Sequence, residues 1–127
     1  RWPNSFPETR PLETPRMSDT LPEMEPTELE ERLAQEQPLV LVDVREAFER
    51  EIADLPDVGQ KHMPMGEVMQ RWRELDPDDN LVVYCRSGSR SASVVQFLMG
   101  QGFEKVWNLR GGVLGWQEDV DPSLTRY

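Results

Sequence analysis

One thiol and two guanidinium groups fall within six residues, Cys85-Arg86-Ser87-Gly88-Ser89-Arg90. Cys85 is the only cysteine of the 127 residues. A thiolate is the nucleophile, and an unperturbed thiol is only a few per cent ionised at neutral pH. The flanking sequence supplies two ways to favour the anion. Leu81-Val82-Val83-Tyr84 is an apolar run and Ser91-Ala92-Ser93-Val94-Val95-Gln96-Phe97-Leu98-Met99 reads as a helix, so Cys85 opens a tight strand-to-helix loop. Successive N–H groups in such a loop make an anion nest, and the helix adds its positive end. Gly88 relieves the backbone where φ turns positive. The cradle fits a phosphate, an arsenate, a thiosulfate or a cysteine persulfide. Spacing narrows the choice. A tetrahedral phosphoryl group calls for the longer Cys-x5-Arg ring of phosphatases, whereas Cys-x4-Arg matches one sulfur atom beyond the cysteine sulfur. A lone cysteine is otherwise most often a small buried hydrophobe, but a strand end before a glycine-containing loop argues for chemistry.

The elements that must position this loop follow from periodicity. Thr27-Glu28-Leu29-Glu30 has the capping-box pattern, with Thr27 as N-cap of a short helix carrying Leu29 and Leu33. Leu39-Val40-Leu41-Val42 is the continuous apolar run of a strand buried on both faces. A short helical stretch follows through Glu51, then a second short strand near Gln60 to Met63, closed by Pro64. Val68, Trp72 and Leu75 mark one helical face, ended by Pro77. After the Cys85 strand, Ala92, Val95 and Met99 face one way on a helix stopped by Gly100 and Gly102. Lys105 to Leu109 is a strand, Arg110-Gly111-Gly112 a turn, and Val113, Trp116 and Val120 a last helix, with Asp121 to Tyr127 irregular. Alternating strands and helices predict an α/β fold, a parallel sheet flanked by helices on both faces with right-handed crossovers. Ligands of such sheets bind beyond the carboxyl ends of the strands, which is where Asp43 and Arg45, the Cys85 loop and Arg110 to Gly112 all fall.

Length allows one domain with a real core. Residues 1–21 hold four of the eleven prolines and read as a linker or arm, with the domain over residues 22–127. A net charge of −10 argues against nucleic acid as a partner. No apolar stretch approaches the length of a membrane span, and one cysteine, unable to form an internal disulfide, implies a reducing compartment, the cytoplasm. Arg86 and Arg90 form a positive spot on an acidic body, as a small anionic ligand requires. The sequence opens on Arg1, which reads as a fragment of a longer chain, a processed product or an expression form.

Three ordered motifs then carry a family resemblance. Asp43-Val44-Arg45-Glu46, Cys85 to Ser91, and Leu109-Arg110-Gly111-Gly112 followed by Trp116 resemble the signature of rhodanese domains over roughly residues 22 to 127. The resemblance implies a sulfurtransferase in which Cys85 cycles between thiolate and persulfide, with no cofactor beyond that covalent sulfur. It implies sulfane sulfur taken from thiosulfate or a donor persulfide enzyme and passed to a thiol, cyanide or a ubiquitin-like sulfur-carrier protein. Glu51-Ile52 to Leu55-Pro56, Met63-Pro64, Gly66-Glu67 and the ending Val120-Asp121-Pro122-Ser123-Leu124 to Tyr127 are more narrowly similar to the C-terminal domains of adenylyltransferase/sulfurtransferases of molybdopterin and thiamine pathways. Many members carry Gly where this chain has Asp57 after Pro56. A Cdc25-like phosphatase, an arsenate reductase and a non-catalytic interaction module are the competing classes.

Roles divide accordingly. Cys85 is the expected nucleophile. Arg86, Ser87, Gly88, Ser89 and Arg90 are expected to bind the transferred sulfur or substrate anion, mainly through backbone N–H groups. Asp43 and Arg45 are expected to pin the sheet edge by charge-assisted bonds, and the family pattern pairs Arg90 with Asp43. His62, the only histidine, reads as a partly buried loop residue. With one Cys and one His a zinc set is incomplete, so no metal is expected. Trp72, Trp107 and Trp116 read as core.

Overall fold

The structure, a computed structural model, describes residues 21–127. The expected arm lies outside the described residues apart from Leu21, which is buried in the core. In chain order the elements are β1 (Glu23–Met24), α1 (Pro26–Ala34), β2 (Val40–Asp43), α2 (Ala47–Ile52), β3 (Lys61–His62), α3 (Val68–Arg71), β4 (Leu81–Tyr84), α4 (Ser89–Gly100), β5 (Val106–Leu109) and α5 (Gly112–Asp119). Short 3-10 turns at Met65–Glu67 and Trp72–Glu74 flank α3.

The five strands form one sheet in the order β1-β5-β4-β2-β3, and every pair is parallel. β4 is central, with Val40 opposite Leu81 on one side and Leu81 opposite Val106 on the other. Period-two alternation splits the apolar strands between two cores. Val42, Leu81, Val83 and Val106 face one cluster with Val94, Val95 and Leu98 of α4. Leu41, Val82, Tyr84, Trp107 and Leu109 face the other with Leu29 of α1 and Val113 and Trp116 of α5. Helices therefore cover both faces, as the continuous apolar runs require.

Four local expectations change. The first helix begins at Pro26 with Glu25 as N-cap and no side-chain cap. Proline at the first helical position lacks the N–H that a cap would satisfy, so the helix opens ahead of Thr27. The capping box lies instead on α2, between Glu46 and Glu49. The buried face of α4 is Ser91, Val94, Val95 and Leu98, while Met99 is exposed. The Val68–Trp72–Leu75 helix is broken into 3-10, α and 3-10 turns that still bury Val68 and Leu75. β1 is an addition: two residues extend the sheet by pairing Glu23 with Asn108 and Met24 with Leu109.

Candidate active site

β4 ends at Tyr84, and Cys85 follows it at the carboxyl edge of the central strand. The chain then turns through Arg86, Ser87 and Gly88 into α4. Gly88 is the N-cap with φ of 104°, in the left-handed region that L side chains rarely adopt. The Cys85 residue is fully buried, yet donors converge on its sulfur. The Gly88 N–H donates to Sγ at 3.0 Å and the Ser91 N–H at 3.4 Å. The Ser91 hydroxyl lies 3.4 Å from Sγ and 2.5 Å from Oδ1 of Asn108. A hydroxyl has one proton, so the much shorter Asn108 contact takes it and leaves the two amides as the standing donors to sulfur. The N–H groups of Ser89 and Arg90, in the first turn of α4, have no intrahelical acceptor and face out of the helix start.

The loop is shaped from behind by the β5–α5 turn. The Val113 N–H donates to the Cys85 carbonyl at 2.9 Å and the Leu114 N–H to the Arg86 carbonyl at 3.0 Å. In a trans peptide N–H and C=O point in opposite directions, so the N–H groups of Arg86 and Ser87 turn away from α5. The approach is close: a Cβ on Gly112 would stand 2.3 Å from the Cys85 carbonyl oxygen and 2.6 Å from that of Arg86. Asn108, a polar residue in β5, donates from Nδ2 to the Gly88 carbonyl at 3.2 Å.

Charge is organised on the neighbouring β2–α2 loop. Arg45 and Asp43 are both fully buried. Arg45 donates from Nε to Asp43 Oδ1 and from Nη2 to Oδ2, each at 2.9 Å, and its backbone N–H reaches Oδ1 at 3.0 Å. Nη2 also lies 2.9 Å from Asp54, and Nη1 donates to the Ala53 carbonyl and the Tyr127 hydroxyl, each at 2.8 Å. Burial works against the guanidinium charge, but the bonds to Asp43 and Tyr127 outweigh it and hold Arg45 above its ordinary value. Burial, reinforced by Asp43 and Asp54, pushes the Tyr84 phenol well up; its hydroxyl donates to Asp54 at 2.7 Å.

Asp43 is thus consumed by Arg45, and the expected pairing of Arg90 with Asp43 is replaced. Arg90 makes a two-pronged bond to Glu49 on α2, Nη1 to Oε2 at 2.8 Å and Nη2 to Oε1 at 2.9 Å. The Arg90 bonds draw the Glu49 carboxyl down to about 2, against the penalty of burial. Glu49 Oε1 also accepts from the Tyr127 hydroxyl at 3.0 Å. Arg86 points elsewhere: its guanidinium carbon lies 5.2 Å from the Tyr127 ring centroid, and Nη2 donates to the Tyr127 main-chain oxygen.

The structure therefore brings Cys85, Arg86, Gly88 and Arg90 together with the amide ring, and places Ser87 and Ser89 exposed on its rim. Asp43 and Arg45 brace the adjoining loop. His62 is half-buried on β3, its Nε2 2.7 Å from the Arg45 carbonyl. Arg110 leaves the crevice for a surface pair with Glu25. Among the described residues no three His, Cys, Asp or Glu side chains are grouped as a metal would require, and no helix is long and apolar enough to cross a membrane. Ser91, Glu49, Asn108 and Tyr127 belong to the site and were not singled out from the sequence. Two had a signal: Glu46-x-x-Glu49 is a capping pattern, and Asn108 is a polar residue in an apolar strand that must find partners.

Comparison with known proteins agrees with this geometry. The family model described as Rhodanese-like domain matches residues 25–119. The chain is 39% identical over 94 residues to a protein of Allochromatium vinosum named Sulfurtransferase, covering 74% of this chain and 86% of that one. It is 29% identical over 104 residues to the probable adenylyltransferase/sulfurtransferase MoeZ of Mycobacterium tuberculosis, covering 80% of this chain and 26% of that one. Among solved structures, a rhodanese-related protein of Thermoplasma volcanium superposes with a TM-score of 0.70 at 27% identity, covering 78% of this chain and 93% of that one.

Proposed function

The chain belongs to the rhodanese-like domain family, and from that premise we propose that it is a sulfurtransferase carrying sulfane sulfur as a persulfide on Cys85. The observation that carries the reading is the pair of backbone donors on a buried sulfur, beside first-turn amides that have no acceptor within the helix. Such donors solvate negative charge on sulfur and need no reorganisation as it moves from Sγ to a second sulfur. With thiosulfate as donor, the Cys85 thiolate attacks the outer sulfur. The Sγ–S bond forms, the S–S bond of thiosulfate breaks, and sulfite leaves with the electron pair. A nucleophilic acceptor then attacks the outer sulfur, and Sγ departs as thiolate. No electrons are lost overall, so no cofactor takes part.

Arg86 and the loop amides supply positive potential for an anionic donor. Arg90, bound to Glu49, holds the loop rather than the substrate. Because Cys85 is fully buried, loading requires a momentary opening at the rim, where Ser87 and Ser89 are exposed. A free thiol of this kind suits a reducing compartment such as the cytoplasm. The reading extends, by the sequence resemblance, to a sulfur-carrier protein as acceptor, fed by thiosulfate or a persulfide enzyme, in a molybdopterin- or thiamine-type pathway; the partial match to a protein named adenylyltransferase/sulfurtransferase is consistent with it.

Incubation with thiosulfate followed by intact-mass measurement tests the reading. The protein should gain the mass of one sulfur atom, cyanide should remove it as thiocyanate, and Cys85→Ser should gain nothing. Equal gain in both proteins, or none in the unmodified chain, overturns it.

A further inference from the structure

Two arginines stand in the Cys85 loop, and only one is paired with a side-chain carboxylate. Arg90 is locked to Glu49 by two short bonds. Arg86 rests instead on Tyr127, ring and main-chain oxygen together. Tyr127 is itself fixed at its far end, since its hydroxyl accepts from Arg45 at 2.8 Å and donates to Glu49 at 3.0 Å. Arg45 is fully buried and Glu49 nearly so. Tyr127 thus spans from the braced β2–α2 loop to Arg86, next to Cys85. A guanidinium has five N–H donors, and the Tyr127 contact consumes one of them, leaving the rest for a guest.

We propose that Tyr127 is a positioning residue that sets the enzyme's preference for doubly charged sulfur donors by holding the Arg86 guanidinium beside the entrance to the Cys85 loop. The proposal rests on the sulfurtransferase reading above. Its physical content is preorganisation. A free arginine side chain loses rotamer entropy on being fixed, and a platform that fixes it beforehand removes that cost from substrate capture. A dianion gains more from a fixed guanidinium than a monoanion does.

The test compares thiosulfate with methanethiosulfonate, which offers the same sulfane sulfur but carries one charge. Sulfur loading is followed with each donor in the full chain and in Tyr127→Phe, Tyr127→Ala, Arg86→Ala and the Arg86→Ala/Tyr127→Ala double variant. Tyr127→Ala should lower kcat/KM for thiosulfate about tenfold through KM, the loss of one ring contact and its ordering, and for methanethiosulfonate by about threefold or less. Tyr127→Phe, which keeps the ring and drops the hydroxyl, should fall between. In the Arg86→Ala background the Tyr127 change should cost nothing further, because the two act as one unit. An unchanged ratio between donors in both Tyr127 variants overturns the proposal, as does full additivity in the double variant. Should the unmodified chain accept sulfur from neither donor, the sulfurtransferase reading itself fails, and that outcome is distinct.

Discussion

Between β2 and α2, and again between β4 and α4, the chain makes the same move from a central parallel strand into a helix. The two loops lie side by side and treat charge in opposite ways. In the first, Asp43 and Arg45 are both fully buried and satisfy each other, with Asp54, Ala53 and Tyr127 taking the remaining guanidinium donors. In the second, the side-chain carboxylate engaged is Glu49, at Arg90 on the loop's edge. The Gly88 and Ser91 amides face sulfur, and the side chain of Arg86 rests on an aromatic ring. One loop spends its electrostatics inward and becomes a fixed wall. The other leaves its positive potential available for a guest. Glu49 joins them, since it belongs to the first loop's helix and holds Arg90 of the second.

The sharpest way to break that contrast is to unbalance the wall. Arg45→Met leaves the buried Asp43 carboxylate with only the half-exposed Arg50 as a cation, at 3.7 Å, and removal of one member of such a buried pair costs about 3–5 kcal/mol. Urea unfolding should show a loss of that size, and a loss under about 1 kcal/mol would mean the wall is not built on the pair. Gly112→Ala attacks the contact behind the second loop. Its Cβ would meet the Cys85 and Arg86 carbonyl oxygens at 2.3 and 2.6 Å, so backbone must shift at a cost of about 1–3 kcal/mol. Sulfur loading should fall as the amide ring is displaced. Gly100→Ala, which meets nothing within 4 Å, is the control and should leave both quantities nearly unchanged.

The smallest effect concerns the joint between the loops. The Glu49 carboxyl sits at about 2 instead of its ordinary 4.5. A depressed carboxylate adds stability in full above its unfolded value and loses it as pH falls. The contribution is therefore complete above pH 4.5 and disappears as pH drops from 4.5 toward about 2. Glu49→Gln should flatten the stability profile across that window, measured by urea melts at stepped pH, with little change near neutrality in the slope of stability against pH. An unaltered acid slope would remove Glu49 from its place as the joint.

Much of this was readable from residue order. The parallel sheet followed from Leu39 to Val42 and Leu81 to Tyr84, whose unbroken apolar character has meaning only for strands covered on both sides. The position of Cys85 at the sheet's carboxyl edge followed from its place between such a strand and a helix. What could not be read was which charge meets which. Asp43 and Arg45 are two residues apart, and a side chain folding back on its own loop outcompetes a distant Arg90. The Glu49–Arg90 bond joins residues 41 positions apart through a capping pattern that looks purely local. Tyr127 lies 82 positions from Arg45, in a segment without periodicity, so nothing in its surroundings announces where it docks. β1 escaped for another reason: two residues are too short to show alternation.

The grip of Val113 and Leu114 on the Cys85 and Arg86 carbonyls has a consequence for how this scaffold can diversify. The calibre of the anion ring is gauged by a helix that lends no side chain to the chemistry. An extra residue between Cys85 and Arg90 would have nowhere to anchor its oxygen unless the Gly111-Gly112 corner were recast at the same time. A switch to a bulkier oxyanion is therefore a concerted, two-segment change, and single insertions should be dead ends.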